Sequence, residues 1–392
     1  MKYGQLIAAF IFLLMVAGQV GTDIYLPSLP AMAIDLHTDH RYVQWSIAFF
    51  FFTYGITQLF YGPLADRYGR KKPLLVALSI YAAGSVLAIF APTIHVLLVA
   101  RLIQGIGAGG CSVLPRAIMR DVFSGKELQK INIYQSAVWS VMFLIAPLMG
   151  GYIQEYLGWR ANFVCILLII LVGITAWFFV AETHRPQETQ RLKLQYVLKE
   201  YAQILTHREF WPSLLGTAVS AAIFVTFIVF IAIFLPKILH FSPIAFGWVT
   251  VILAIGYMVG LVFSRILVHR IRETTMIGIG IAFSIVATVG MLLCSILAPQ
   301  SILFLINLFI LQIGTAFIFP SIIAVTLHLF PHKAGKAAAL VGCTIFMSNL
   351  LATLVVSFIP NNTWLYMSLF YVILMALLLF SFVHIKRVSV KA

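Results

Sequence analysis

The stretch AGQVGTDIYLPSLP, residues 17–30, puts an aspartate, Asp23, near the far end of an apolar run that begins at Leu6. Of the twelve acidic residues, Asp23 is the one that falls within a long apolar segment. Asp35 and Asp39 fall in the gap that follows, Glu155 at the end of a later segment, and the others in further gaps. An ionisable group in hydrocarbon costs about 2.5–3.5 kcal/mol and is usually kept for function. Burial favours the neutral form of a carboxylate, so a buried aspartate is suited to taking up and releasing a proton. Phe12, Met15, Gln19 and Asp23 share a helical face by their spacing, a polar stripe that would point into a cavity. The competing reading is a helix-end aspartate reaching outer water, because Pro27 and Pro30 lie just beyond.

Arg101 is the basic residue placed well inside an apolar segment. Arginine does not lose its proton in a protein, so it supplies a fixed positive charge. It can modulate a nearby acid, or serve as a structural partner for backbone carbonyls or for Gln104. Further cavity candidates are Gln19 and Tyr25 in the first segment, Tyr54 and Gln58 in the second, and Gln135, Trp139, Met142 and Met149 in the fifth. The second half of the chain adds Phe224, Phe227, Tyr257, Asn307, Gln312, Ser348 and Asn349. Aromatic and methionine side chains make adaptable apolar surfaces, although most such residues are ordinary packing.

The elements that must position these groups are membrane helices. The chain has 392 residues, 62% hydrophobic and 10% charged. A span needs about 20 mostly apolar residues. Twelve segments qualify: 5–26, 43–62, 74–92, 95–115, 132–153, 161–181, 212–235, 244–266, 275–297, 301–323, 335–358 and 364–385. In hydrocarbon only helices or closed barrels satisfy the backbone, and no alternating ten-residue strands occur, so the expected fold is an all-α integral membrane bundle. The first run lacks a small-residue cleavage site and is expected to be an uncleaved span.

The net charge of +14 is placed by topology, not by nucleic acid. The odd-to-even gaps hold Arg41, Arg160 and Lys237 as their basic residues, and the opposite gaps and the tail hold the others outside the spans. Basic residues collect on the cytoplasmic side, so both termini are expected there, in a cytoplasmic membrane. Cys111, Cys165, Cys294 and Cys343 all fall in spans, with neither metal-ligand spacing nor a disulfide framework. No G-x-x-x-x-G-K-[ST] loop, H-E-x-x-H or C-x-x-C occurs, and the glycine-rich GIGAGG follows no strand. Neither ATP, a dinucleotide, another cofactor nor a metal is expected, and nothing suggests an enzyme.

One long gap divides the spans into six and six, giving domains 1–181 and 213–392 joined by a linker, 182–212. In the linker, LKLQYVLKEYAQIL sets Leu194, Val197, Leu198, Tyr201, Ile204 and Leu205 on one face of an amphipathic helix. That helix can lie on the cytoplasmic membrane surface or pack on the bundle. A weak internal repeat, LFYGPLADRYGRKKP against LVFSRILVHRIRETT, puts arginines in corresponding turns of the two halves. Two halves with a substrate site between them is a common transporter plan.

Four motifs carry a family resemblance over essentially the whole chain. GPLADRYGRKK, after the second span, fits G-x-x-x-D-R-x-G-R-K through Gly62, Asp66, Arg67, Gly69, Arg70 and Lys71. RLIQGIGAGG, in the fourth, fits R-x-x-Q-G-x-G through Arg101, Gln104, Gly105 and Gly107. APLMGG, in the fifth, is similar to G-P-x-x-G-G through Pro147, Gly150 and Gly151, with Ala146 in place of the first glycine. DIYLP, from Asp23, is similar to a first-helix motif. The chain thus resembles the major facilitator superfamily, and within it the twelve-span drug:proton antiporters of the Bcr/CflA type.

The resemblance implies two six-helix halves working by alternating access, with a small amphipathic compound exported against protons. Export of an endogenous metabolite such as a siderophore is the alternative. It gives Asp23 and Arg101 a coupling role and makes APLMGG a seal between halves, where a plain packing kink is also possible. The loop motif reads as a conformational latch or as topology alone. Topology explains its cations but leaves Asp66 unexplained. With Arg101 the one cation offered to a cavity, neutral or cationic substrates are expected. A monomer in the bilayer, with small molecule and protons as partners, completes the expectation.

Overall fold

Proline and glycine positions set where the helices stop. Pro27 has no N–H to give the Asp23 carbonyl four residues back, and its ring crowds that carbonyl, so the first helix ends at Asp23. Pro30 acts likewise on Leu26. Between them the chain makes a single 3₁₀ turn, Leu26–Ser28, before helix resumes at Leu29. Gly69 and Gly158, at φ of 81° and 80°, end two later helices in a conformation that side chains disfavour. Asp39 caps another start, its carboxylate accepting from the Arg41 N–H at 2.8 Å.

The computed structural model describes residues 3–184, 194–268, 270–298, 302–330, 333–360 and 362–389. These form helices α1 Tyr3–Asp23, α2 Leu29–Asp35, α3 His40–Tyr68, α4 Lys71–Ile89, α5 Ile94–Val122, α6 Gly125–Leu157, α7 Trp159–Trp177, α8 Leu194–Leu205, α9 Phe210–Leu239, α10 Pro243–Leu267, α11 Glu273–Leu297, α12 Phe304–His328, α13 Ala334–Phe358 and α14 Leu365–Ser389. Among the described residues there is no strand. Twelve segments are long and apolar enough to cross a membrane, α1 and α2 counting as one, Gly4–Asp35. The chain is an all-α, multi-pass membrane protein.

Several helices outrun the spans expected from hydropathy. The first membrane segment continues past residue 26 to Asp35, so Asp35 ends a helix and does not sit in a loop. Asp66 and Arg67 lie on the last turn of α3, and Arg116, Arg120 and Asp121 on α5. Polar and charged residues at a helix end lower the local hydropathy without ending the hydrogen-bond ladder, and hydropathy windows stop too early for that reason.

Residues 1–199 and 200–392 form two compact units. In the first, α5 packs against α3 and α4; in the second, α12 packs in the same way against α10 and α11. Small residues permit these approaches. A Cβ on Gly107 would come within 2.5 Å of the Ala77 carbonyl of α4, and one on Gly105 would run into the Phe50 carbonyl of α3. Gly280 and Gly314 face one another between α11 and α12, each 2.6–2.7 Å from the other's carbonyl oxygen if a Cβ were added.

The second unit includes the C-terminal part of the linker helix α8, from Glu200 onward. Glu200 pairs with Lys336, and Lys333 donates to Gln203 at 2.8 Å. Tyr201 and Ile204 are buried, whereas Leu198, expected on the same face, is exposed. The side chains of Leu194 and Val197 lie outside the described residues.

Candidate functional site

The break after α1 organises the first unit's interior. Residues 24–29 are buried, which is the condition for irregular backbone at membrane depth. Asp23 is 8% exposed, and Gln19, one turn back, donates to its Oδ2 at 2.5 Å. The last helical bond of α1 runs from the Ile24 N–H to the Val20 carbonyl. The Gly21 carbonyl is therefore left without its helical donor.

Arg101 supplies that donor. Its Nη2 donates to the Gly21 carbonyl and to the Tyr25 hydroxyl, both at 3.1 Å. Its Nη1 donates to Gln104 Oε1 at 2.8 Å, and its Nε to the Ser46 carbonyl at 3.4 Å. The guanidinium lies over the rings of Tyr25 and Phe50, 4.3 and 4.1 Å from their centroids. Arg101 is 0% exposed, yet no carboxylate pairs with it among the described residues. Its charge is met by carbonyls, a hydroxyl and aromatic faces, and by the negative end of the α1 dipole. Gln104 passes the network on, donating to Ser85 Oγ at 2.9 Å, which donates to the Tyr81 carbonyl at 2.8 Å.

Two other helices close on the break. A Cβ on Gly150 of α6 would overlap the Ile24 carbonyl, so only glycine allows this approach. Asn162 of α7 donates to Ser28 Oγ at 2.9 Å. Pro147 lies inside α6, and Ala146 and Gly151 are buried beside it.

A small cavity of about 10 Å³ lies alongside. Met15, Gly18, Gln19, Tyr54, Cys111, Ser112, Arg116, Gln135 and Trp139 line it. Gln19, Tyr54, Gln135, Trp139 and Met15 were expected from sequence. Asp23 does not line it and is reached through Gln19. Other expected residues go elsewhere. Tyr25 is spent on Arg101, and Phe12 packs edge-on against Tyr134 at 6.5 Å. Gln58 is buried but its Nε2 finds no partner among the described residues, and Met142 and the exposed Met149 do not reach the cavity.

The expectation of one interior cation is corrected. Arg116, placed in a loop by hydropathy, is on α5 and lines the cavity. The ground for expecting only neutral or cationic substrates falls with it.

In the second unit, Phe224 meets Phe227 and Tyr257 edge-on at 5.6 and 6.4 Å. Asn307 packs against the end of α11, donating weakly to Cys294 Sγ at 3.5 Å, and belongs to helix packing. Gln312 Nε2 and Asn349 Oδ1 are buried without a partner among the described residues, and Ser348 donates to the Ile345 carbonyl. Among the described residues, the buried charged side chains are Asp23, Arg70 and Arg101, all in the first unit.

The loop motif forms a second polar cluster. Arg70 Nη1 bonds Asp66 at 2.6 Å; its Nε and Nη2 bond Asp121 at 2.7 and 3.2 Å. Burial works against the Arg70 charge, but the bonds from Asp121 and Asp66 outweigh it and hold the proton more tightly than in an ordinary arginine. Glu182, from the stretch after α7, accepts the N–H groups of Arg70 and Lys71 at 2.8 and 3.0 Å, an anion on the α4 N-terminus. Asp66 therefore pairs with arginine, and the capping role falls to Glu182. Arg67 is exposed against the Tyr68 ring, and Gly62 lies within α3, where a Cβ would meet nothing within 4 Å. The turn itself depends on Gly69. Asp121 and Glu182 had no spacing signal, because 51 and 112 residues separate them from Arg70.

The Major Facilitator Superfamily model matches residues 11–237 and again 214–391. The chain belongs to the Major Facilitator Superfamily. Members of this superfamily carry small molecules across membranes. Among its relatives, the multidrug resistance protein D of Escherichia coli (strain K12) is 35% identical over 184 residues, a stretch spanning about half of each chain at 46%. The chloramphenicol resistance protein of Pseudomonas aeruginosa is 28% identical over 355 residues, 88% of this chain and 82% of that one. A solved D-xylose-proton symporter has the same fold, with a TM-score of 0.78 over 98% of this chain and 97% of that one, at 15% identity.

Proposed function

We propose that this superfamily member is a drug exporter that exchanges small amphipathic compounds for protons by alternating access. One observation carries the reading: Asp23 is the single buried carboxylate among the described residues, placed at a helix break beside a cavity. Discontinuous membrane helices mark substrate and ion sites in transporters. The resistance proteins named above support export as the direction of transport.

In this reading Asp23 carries the proton and Gln19 links its state to the cavity. Arg101 is a positioning residue that fixes the break and the field around Asp23. The Asp66–Arg70–Asp121–Glu182 cluster is the latch that opens and re-forms during the cycle, and Gly105, Pro147, Gly150 and Gly151 are the close-packed seal. The protein is not an enzyme, works as a monomer in the cytoplasmic membrane, and keeps both termini in the cytoplasm. The positive-inside distribution supports that orientation.

Flux in proteoliposomes under a pure pH gradient tests the function. Drug movement that follows the gradient and stops in Asp23→Asn is the expected result. Drug movement that is independent of the gradient would reject proton exchange.

A further inference from the structure

One turn of α7 holds both ends of α2. At the start of α2, Asn162 donates to Ser28 Oγ at 2.9 Å, and both residues are 0% exposed. At its last residue, Asp35 Oδ2 accepts from Trp159 Nε1 at 3.0 Å and from Arg160 Nη1 at 2.6 Å. Arg160 Nη2 also donates to the Ala91 carbonyl, just past the end of α4, at 3.1 Å. Trp159 meets Phe163 edge-on at 6.0 Å, and Phe163 packs on Tyr25 at 5.5 Å.

Local rules do not explain these residues. Seven residues make too short a helix to stand alone. An acid at a helix C-terminus opposes the dipole, so Asp35 is unfavourable in its place until Trp159 and Arg160 meet it. Asn162 is costly too: its Oδ1 finds no partner among the described residues, and the Ser28 bond is what offsets burial of the amide. The break also interrupts the helical ladder, which ends at the Ile24 N–H, so α1 does not fix α2 through continuous helix. Two separate grips remain. Arg101 holds residues 21 and 25, before and within the break, and α7 holds residues 28 and 35 after it.

We infer that Trp159, Arg160 and Asn162 are positioning residues: one turn of α7 sets the place of α2 and, through it, the geometry of the break that presents Asp23. The inference rests on the export reading for what Asp23 does and goes beyond it in saying what holds Asp23 there. None of the three lines the cavity, so their effect on transport runs through the break.

The test is hydrogen exchange in the purified full-length protein, read by mass spectrometry over residues 24–35, together with export kinetics in inverted vesicles. Asn162→Ala should speed exchange over that segment about tenfold, the loss of one buried bond. Arg160→Gln should speed it about threefold, because 42% and 48% of the paired side chains are exposed and such pairs are weak. Arg160→Lys, which keeps the charge, should stay within about twofold of wild type. Exchange in α5 should not change in any of them. The maximal export rate of Asn162→Ala should fall several-fold while its half-saturating drug concentration stays within about twofold of wild type. Arg160→Gln is the milder variant and gives the same readouts where Asn162→Ala does not fold. Unchanged exchange over residues 24–35, or a rise shared equally by α5, would overturn the positioning role, and so would a local rise with an unchanged maximal rate. The exchange measurement needs no substrate. If wild type carries no drug flux, the export reading fails, and exchange still decides whether α7 holds the break.

Discussion

Arg101 bonds the residues two before and two after Asp23, the Gly21 carbonyl and the Tyr25 hydroxyl, and forms no ion pair with Asp23 itself. The cation thus fixes the shape of the broken helix around the acid and leaves the carboxylate to Gln19. A direct ion pair would hold Asp23 ionised. In the proposed exchange, this arrangement would let the proton come and go while the backbone stays in place.

Asp23→Asn keeps the size and hydrogen-bonding capacity of the side chain and fixes it neutral. Export driven by a pH gradient into inverted vesicles should fall to background. Binding of an uncharged substrate to the same preparations should stay within a few-fold of wild type. Near-normal export under a pure pH gradient would remove Asp23 as the carrier.

Arg101→Lys retains a positive charge but loses the planar fork that reaches Gly21, Tyr25 and Gln104 together. Each buried acceptor left without a donor costs about 1–3 kcal/mol. The variant should melt several degrees lower and transport poorly at every pH. A Tm equal to wild type would mean that these bonds contribute nothing to the fold.

The two acids on Arg70 should differ. Asp121 makes two bonds to it with 18% of its side chain exposed, whereas Asp66 makes one with 60% exposed. Exposed pairs are weak. Asp121→Asn should therefore slow transport more than Asp66→Asn, and both should leave equilibrium substrate binding within a few-fold. Abolished binding in folded Asp66→Asn protein would show that the cluster is not a latch.

Gly150→Ala and Gly62→Ala make a matched pair. A methyl at Gly150 meets the Ile24 carbonyl, and overpacking of this kind costs about 1–3 kcal/mol. A methyl at Gly62 meets nothing within 4 Å, and alanine favours helix over glycine. Thermal melts of the two variants should shift in opposite directions or differ by several degrees, with Gly150→Ala the less stable.

A reporter joined after Ala392 should give a cytoplasmic signal, since the basic residues outside the spans cluster on that side. A periplasmic signal would reverse the orientation.

Hydropathy and charge asymmetry made the twelve spans legible, because burial of backbone in lipid leaves few alternatives. Asp23 was legible for a related reason: one acid in an apolar segment is costly enough to be conspicuous. The break that ends α1 at Asp23 was also written in Pro27 and Pro30, but those prolines suit a helix end as well as an interruption. Only the burial of residues 24–29 separates the two. Arg116 was misplaced because Arg116 itself, Arg120 and Asp121 pull the local hydropathy down before α5 ends at Val122. Asp121, Glu182, Ser46 and Asn162 were not legible, since their partners come from helices far away in sequence and no local spacing records such contacts.

The confinement of the buried charges Asp23, Arg70 and Arg101 to the first unit has an electrical consequence. A membrane voltage acts on charge, with about 2.3 kcal/mol per elementary charge for each 100 mV crossed. Among the described residues, the buried side chains of the second unit offer that field hydroxyls, amides and aromatic rings, whose response is small. If transport moves charge through these buried groups, voltage sensitivity is expected to lie in that half of the molecule which holds them, the first unit. Substitutions that exchange one neutral side chain for another in the interior of the other half can reshape it without altering the charge moved per cycle.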